Sequence, residues 1–419
     1  MCNAKLLVCP LSVRARRHRF RPTSEQLDRT RFKASGVLHT SISVELYKKM
    51  ESTFDTIPYL HRLGPERDAV KYVTSLCKNN GMMTPCLVRD ASSLVDRLPS
   101  KIADKRFACE TVHVGSSFEE TVAGDPNKFK FLVTLTRFED LCAPVPTEKS
   151  GSFRLQCKSA FRRGSTYEEF YSDGFLSTTD VKFIFELILR EIVNGYEFWE
   201  NETYFAMDDI MPSYQFTSGE EYTILKLKTH QLTGPEERPM MHIYLIPCVR
   251  VKGWWPTVAV PSFRNAAIWF KEEVLKHDCG LTFAQPRRVY AMVRVEEKAR
   301  YSKTNAHLLF AIHESHLIKS CPPIIKTAFM ICKWLIMDDI TDIDVSYNAR
   351  LFSNYTLKTA VMTCLAEVET APPPFMAAVS VPDYHEVTKW VREILGRLLQ
   401  FVNQGCVLMF FMPTWRLPV

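Results

Sequence analysis

Between Thr179 and Val193 the apolar residues Val181, Ile184, Phe185, Ile188 and Ile192 recur every three or four positions. That is the stripe of an amphipathic helix, with Asp180 placed to cap it. A second stripe (Val387, Val391, Ile394, Leu395, Leu398, Val402) predicts a helix from about Asp383 to Asn403. A third, Val44, Leu46, Met50 and Phe54, opens a mostly helical stretch over roughly 41–100, which Gly81, Pro85 and Pro99 divide. Between the helical stretches the period drops to two. Strands are predicted within Arg106–Leu135, on either side of a Gly-Ser turn, at Glu221–Thr229 and at Met241–Val251. Residues 142–166, punctuated by Pro144, Pro146, Gly151 and Gly164, read as a loop or insertion. After Trp254-Trp255-Pro256 the pattern is predominantly helical, with one further strand at Arg288–Val295. The order of helix, mixed α/β and helix predicts an α+β fold without internal repeats.

Composition narrows this only a little. With 46% hydrophobic residues in 419, the chain can fill one large bilobal unit or two domains. No apolar run approaches the roughly 18 residues of a spanning helix, and Cys406–Met412 stops well short, so no transmembrane segment is expected. The 13 cysteines form no CxxC pair and predict reduced core thiols rather than a disulfide framework. His277-Asp278-Cys279 is a single tight pair without a partner pair, and no zinc is expected there.

Charge is informative once located. Residues 1–40 hold nine Lys/Arg (Lys5, Arg14, Arg16, Arg17, Arg19, Arg21, Arg29, Arg31, Lys33) against Glu25 and Asp28, a net of +7, so the other 379 residues carry −1 of the total +6. The body is therefore not the basic surface that long-duplex binding wants. The arm reads first as a solvated, disordered segment, second as a weak contact for nucleic acid or a membrane surface, and third as a mitochondrial presequence. A cytoplasmic protein is expected, with nuclear residence and mitochondrial import as alternatives.

Four ordered segments carry a family resemblance. Gly115-Ser116-Ser117-Phe118-Glu119 followed by Asp125-Pro126-Asn127-Lys128-Phe129-Lys130-Phe131 resembles the Gly-Ser turn and first catalytic strand of cGAS-like nucleotidyltransferases of the Mab-twenty-one family. Lys252-Gly253-Trp254-Trp255-Pro256 resembles the Trp-Pro closing that family's third catalytic strand. Ser353-Asn354-Tyr355-Thr356-Leu357-Lys358-Thr359-Ala360 resembles its Ser-Tyr-x-x-Lys-Thr helix, and Leu398 through Phe411 and Pro413 its closing helix and Tyr-Phe-x-Pro. The resemblance implies a bilobal nucleotidyltransferase fold: an arm at 1–40, a spine helix and core lobe at 41–260, and a helical lobe at 261–419.

In an active member, three carboxylates hold magnesium on the catalytic strands. The resemblance puts them at Lys128, Lys130 and Tyr244, none of which is acidic. Nucleotidyl transfer needs metal ions held by hard oxygen ligands. An ammonium at contact repels a divalent ion by several kcal/mol even at an effective dielectric of about 20. No catalytic residue and no magnesium are therefore expected. Asp125, Glu119, Glu120, Asp208 and Asp209 are the acids from which a rearranged site would have to be built. The family's Trp-Arg-Leu-Ser-Phe-Ser stands here as Ala306-His307-Leu308-Leu309-Phe310-Ala311, without the arginine or the serines.

The nucleotide contacts that the resemblance retains are Gly115, Ser116, Lys333, Ser353 and Tyr355, with Lys128 and Lys130 as replacements for the metals. Four of these have a plainer reading. Lys128 and Lys130 are then exposed ammoniums of a drifted cleft, Lys333 a solvated helix residue and Tyr355 a packing residue beside Leu351 and Leu357. Three functions stay open: a pseudoenzyme binding a nucleotide without metal or a protein partner, an active receptor that senses double-stranded nucleic acid and makes a cyclic dinucleotide, and a developmental interaction protein without ligand.

Overall fold

A computed structural model describes residues 84–122, 127–147, 152–158, 165–199, 207–208, 211–212, 214–218, 223–228, 240–256, 266–283, 305–340, 354–368, 384–404, 406–410 and 412–418. The basic arm, the stripe at Val44–Phe54, the strand expected at Arg288–Val295, Asp125, Asp209 and Ser353 lie outside these residues. The described residues all belong to a single unit that begins at Met50.

The predicted change of period is where the sheet begins. Helix α1 (Thr84–Asp96) is followed by β1 (Cys109–Val114) and β2 (Lys128–Leu135), an antiparallel pair joined through the Gly115 turn. Next come β3 (Cys142–Pro146), β4 (Ser152–Cys157), β5 (Tyr171–Ser172), β6 (Phe175–Leu176) and helix α2 (Thr178–Asn194). Short β7 (Met207–Asp208) and β8 (Met211–Pro212) form their own pair before β9 (Tyr214–Ser218), β10 (Thr223–Lys228) and the twelve-residue β11 (Met240–Val251). Helix α3 (Ile268–Val274), β12 (Cys279–Thr282) and β13 (Asn305–Leu309) follow. Four helices come next: α4 (Ala311–Ser320), α5 (Pro323–Ile340), α6 (Asn354–Glu367) and α7 (Tyr384–Asn403). A hairpin of β14 (Cys406–Met409) and β15 (Met412–Pro418) ends the described chain and packs on α7.

Eleven strands form one mixed sheet with the path β1-β2-β11-β12-β13-β4-β6-β5, to which β10 adds on β11, β9 on β10 and β3 on β4. The fold is α+β. Alternation fixes its faces: Phe129, Phe131, Val133 and Leu135 are all fully buried on one face of β2, beneath Leu87, Ala91, Leu94 and Val95 of α1 and Val181, Phe185 and Leu189 of α2. On the opposite face a small cluster of Val114, Leu132 and Cys248 is covered by Ala311 and Ile312 of α4. That cover stops short of Lys128 and Lys130, which stay exposed.

Three expectations need correction. Residues 142–166 are not simply a loop, because β3 and β4 pair across them. Thr147 N donates to Ser152 O and Lys158 N to Leu141 O, so Cys142, Pro144 and Pro146 occupy the non-hydrogen-bonded positions of β3. There a strand's N–H points away from its partner, and proline's missing donor costs an edge strand nothing. The region after Pro256 is less helical than its pattern suggests, since β12 and β13 join the sheet; β12 is buried at all four residues and shows no alternation. Finally, α2 is capped by Ser177, whose hydroxyl accepts from Asp180 N and donates to the Asp180 carboxylate. Asp180 is the partner of the cap, not the cap.

Candidate functional site

β11 runs parallel to β2, and their register aligns His242 with Lys128 and Tyr244 with Lys130. Residues aligned this way share a face of the sheet. Lys128, Lys130, His242 and Tyr244 thus form a two-by-two patch at the end of the face that α4 leaves open, with the lysines exposed and the two rings half-buried. Counting the register independently of any resemblance brings the three sequence-singled positions together. His242 completes the patch; stepping back two residues from Tyr244 along the strand would have found it.

The turn after β1 borders this patch. Gly115 has φ +89°, a left-handed conformation that glycine adopts without strain. The Phe118 and Glu119 amides donate to its carbonyl at 3.0 Å each, and Ser117 Oγ donates to Lys128 O at 2.8 Å, tying the turn to β2. The Lys130 stem lies against the glycine: a Cβ built there would sit 3.6 Å from Lys130 Cδ.

Beneath the turn lies a buried charge network that joins it to α5 and α6. Glu119, fully buried, accepts from Gly115 N at 3.1 Å and forms an ion pair with Lys358 of α6 through the same Oε1. Its Oε2 has no hydrogen-bond partner among the described residues. Lys333 of α5 donates to Ser116 Oγ at 2.9 Å and to Thr121 O at 2.8 Å, with its ammonium 4.2 Å from the Phe329 ring centroid. Burial pulls the Lys333 pKa down to about 7, against the pull of Glu119, and Lys358 and Lys130 add to the depression. The reading of Lys333 as a solvated helix residue is therefore corrected, since it is 5% exposed. Lys326 reaches Glu120 at 2.9 Å, and Glu120 itself has φ +58°. Glu314 of α4 lies 3.9 Å from Lys358; burial raises its pKa, while Lys358 and Lys130 oppose the rise.

These partners change what Gly115 and Ser116 can offer. The Gly115 amide already donates to Glu119, and the Ser116 hydroxyl already accepts from Lys333. Tyr355 falls in the first turn of α6, one turn before Lys358. Asp208 belongs to the separate β7–β8 pair. The sequence reading undervalued Lys358, Lys326 and Glu314; the signal for Lys358 was the Lys-Thr of the α6 motif, whose partner is the glutamate four residues after Gly115.

Trp254 packs edge-on against Phe153, Trp255 against His313, and Gly253 N donates to Asp278 at 2.9 Å, so Trp254-Trp255-Pro256 closes β11. Around it His277 sits 4.4 Å from His316 between ring centroids, and His313 bonds to the His277 carbonyl; burial drops the His313 pKa to about 4. Among the described residues no three His, Cys, Asp or Glu side chains converge as a metal site, and no helix is long and apolar enough to cross a membrane. No protein-family model matches the chain, and a search of curated proteins returns no match.

Proposed function

We propose that this chain is a catalytically inactive, cGAS-like nucleotidyltransferase-fold protein of the Mab-twenty-one type, which binds the phosphates of a nucleotide without metal. The observation that carries the reading is the register of β2 on β11, which aligns Lys130 with Tyr244 and leaves Lys128 on the same face. In the family those positions hold carboxylates around magnesium. Two ammoniums and a phenol there reverse the electrostatics: a divalent cation is repelled, and a phosphate is attracted. Lys128 and Lys130 are the phosphate ligands in this reading, the Ser116 hydroxyl supplies a donor beside them, and Tyr355 is the base-stacking side chain.

The test is a thermal-shift panel of ATP, GTP and other nucleotides at high concentration, in magnesium and in EDTA. A nucleotide that stabilises equally in both supports the proposal; stabilisation that vanishes in EDTA contradicts it. Ligand at a hundredfold its Kd adds about 2.7 kcal/mol of stability, enough to read as a clear rise in Tm. Formation of a cyclic dinucleotide from labelled ATP and GTP in the presence of double-stranded nucleic acid would replace the proposal with an active receptor.

One observation favours a second reading, an interaction protein with no small ligand. Glu119 already occupies the Gly115 amide, the backbone donor of the turn that a phosphate would use. In that case no nucleotide shifts the melting curve at any concentration and a protein partner is what stabilises the fold.

A further inference from the structure

We propose that Cys142 and Cys157 form a redox-active dithiol that closes reversibly into a disulfide across the β3–β4 hairpin. The inference stands apart from the nucleotide reading and involves none of its residues.

The two cysteines are directly opposite each other in the antiparallel register. The flanking bond from Lys158 N to Leu141 O makes theirs a non-hydrogen-bonded pair. In such pairs the Cα atoms approach to about 4.5 Å, with the side chains at their closest. A disulfide accepts Cα separations of about 4.4–6.8 Å, so the pair can close with little backbone movement. The Cys157 thiol is held by a long hydrogen bond, to Leu155 O at 4.0 Å. Pro144 and Pro146 continue the same non-hydrogen-bonded series, which fixes this register from the sequence side. Both thiols are free in the structure.

Their surroundings give the two sulfurs different roles. Cys157 is half-buried and Cys142 is 5% exposed. The interaction with Cys142 lowers the Cys157 pKa, while the interaction with Cys157 and burial raise Cys142. Burial pushes Cys109 and Cys248, by contrast, up to about 12. Cys157 is thus the nucleophile and Cys142 the resolving thiol.

The oxidant is a low-molecular-weight disulfide such as oxidised glutathione. The Cys157 thiolate attacks one of its sulfurs, forming a mixed disulfide and releasing one small thiolate, which takes up the proton lost from Cys157. Cys142, on losing its proton, attacks the Cys157 sulfur and expels the second small thiol. Two protein thiols become one disulfide as one small disulfide becomes two thiols. The bond staples edge strand β3, whose only strand partner among the described residues is β4, to the rest of the sheet.

The full chain is equilibrated in glutathione buffers of graded oxidation, quenched in acid, alkylated and mapped by mass spectrometry. The expected result is a Cys142–Cys157 crosslink with the loss of two hydrogens, reversed by reduced glutathione, while Cys109 and Cys248 stay alkylated. In Cys142→Ser the reaction stops at a glutathione adduct on Cys157. The wild-type readout decides even where a variant folds poorly. Full alkylation of both cysteines at every ratio, a persistent adduct on wild-type Cys157 without closure, or crosslinks through other cysteines would each overturn the proposal.

Discussion

Glu119 is a carboxylate with no exposure to water, stabilised by one lysine and one backbone amide. Removing Lys358 strands that charge. Lys358→Met is expected to cost about 3–5 kcal/mol, because an uncompensated ion remains buried, whereas Lys358→Met combined with Glu119→Gln should recover much of the loss. Urea denaturation of the single and double variants reads the difference; equal destabilisation in both would show that Glu119 does not depend on Lys358. Lys333 yields a prediction in pH. Its folded pKa of about 7 lies below the ordinary lysine value of 10.5, so between those values the unfolded chain binds more protons than the folded one. Stability then rises with pH across that window, by up to about 1.4 kcal/mol per unit from this group, and the penalty is complete below about pH 7. Lys333→Met should flatten the rise relative to the parent protein, and chemical denaturation from pH 6.5 to 9.5 measures it.

At the scale of elements, the cap on α2 is a local feature with a local cost. Ser177→Ala removes the acceptor for Asp180 N and is expected to destabilise the protein by about 1 kcal/mol, readable as a lower denaturation midpoint at unchanged m value. Elements were legible in the sequence where one face is wet. The 3.6-residue stripes of α2 and α7 and the alternation of β2 appear where their spacing put them, because only amphipathic elements write a period into the chain. β12 was not legible, since a strand buried on both faces carries no alternation, and the five residues of β13, Asn-Ala-His-Leu-Leu, write no regular alternation either. β3 was hidden by Pro144 and Pro146, which ordinarily break pairing and here sit where no partner needs their N–H. The phosphate-site candidates were legible as residue types at a spacing of two. What the sequence could not show is that Lys333 turns inward, since a lysine on a helix reads as solvated until its tertiary partners Ser116 and Thr121 are known.

At the scale of the molecule, the site sits where two kinds of surface meet. The sheet offers Lys128 and Lys130 at the uncovered end of one face, and α5 and α6 grip the adjoining turn through Lys326, Lys333 and Lys358. Set against these five lysines are two buried acids, Glu119 and Glu314, and the exposed Glu120, so the local balance favours an anion while the body outside residues 1–40 has a net charge near −1. A small polyphosphate suits such a site better than a long duplex, which needs many phosphate contacts spread over a surface. The direct measurement is a calorimetric titration of ATP in EDTA, with the parent protein and the Lys128→Glu/Lys130→Glu variant side by side. Binding without metal that weakens at least tenfold on charge reversal, about 1.4 kcal/mol or more, is the predicted result. Binding that requires magnesium, or that is indifferent to the reversal, would contradict the account.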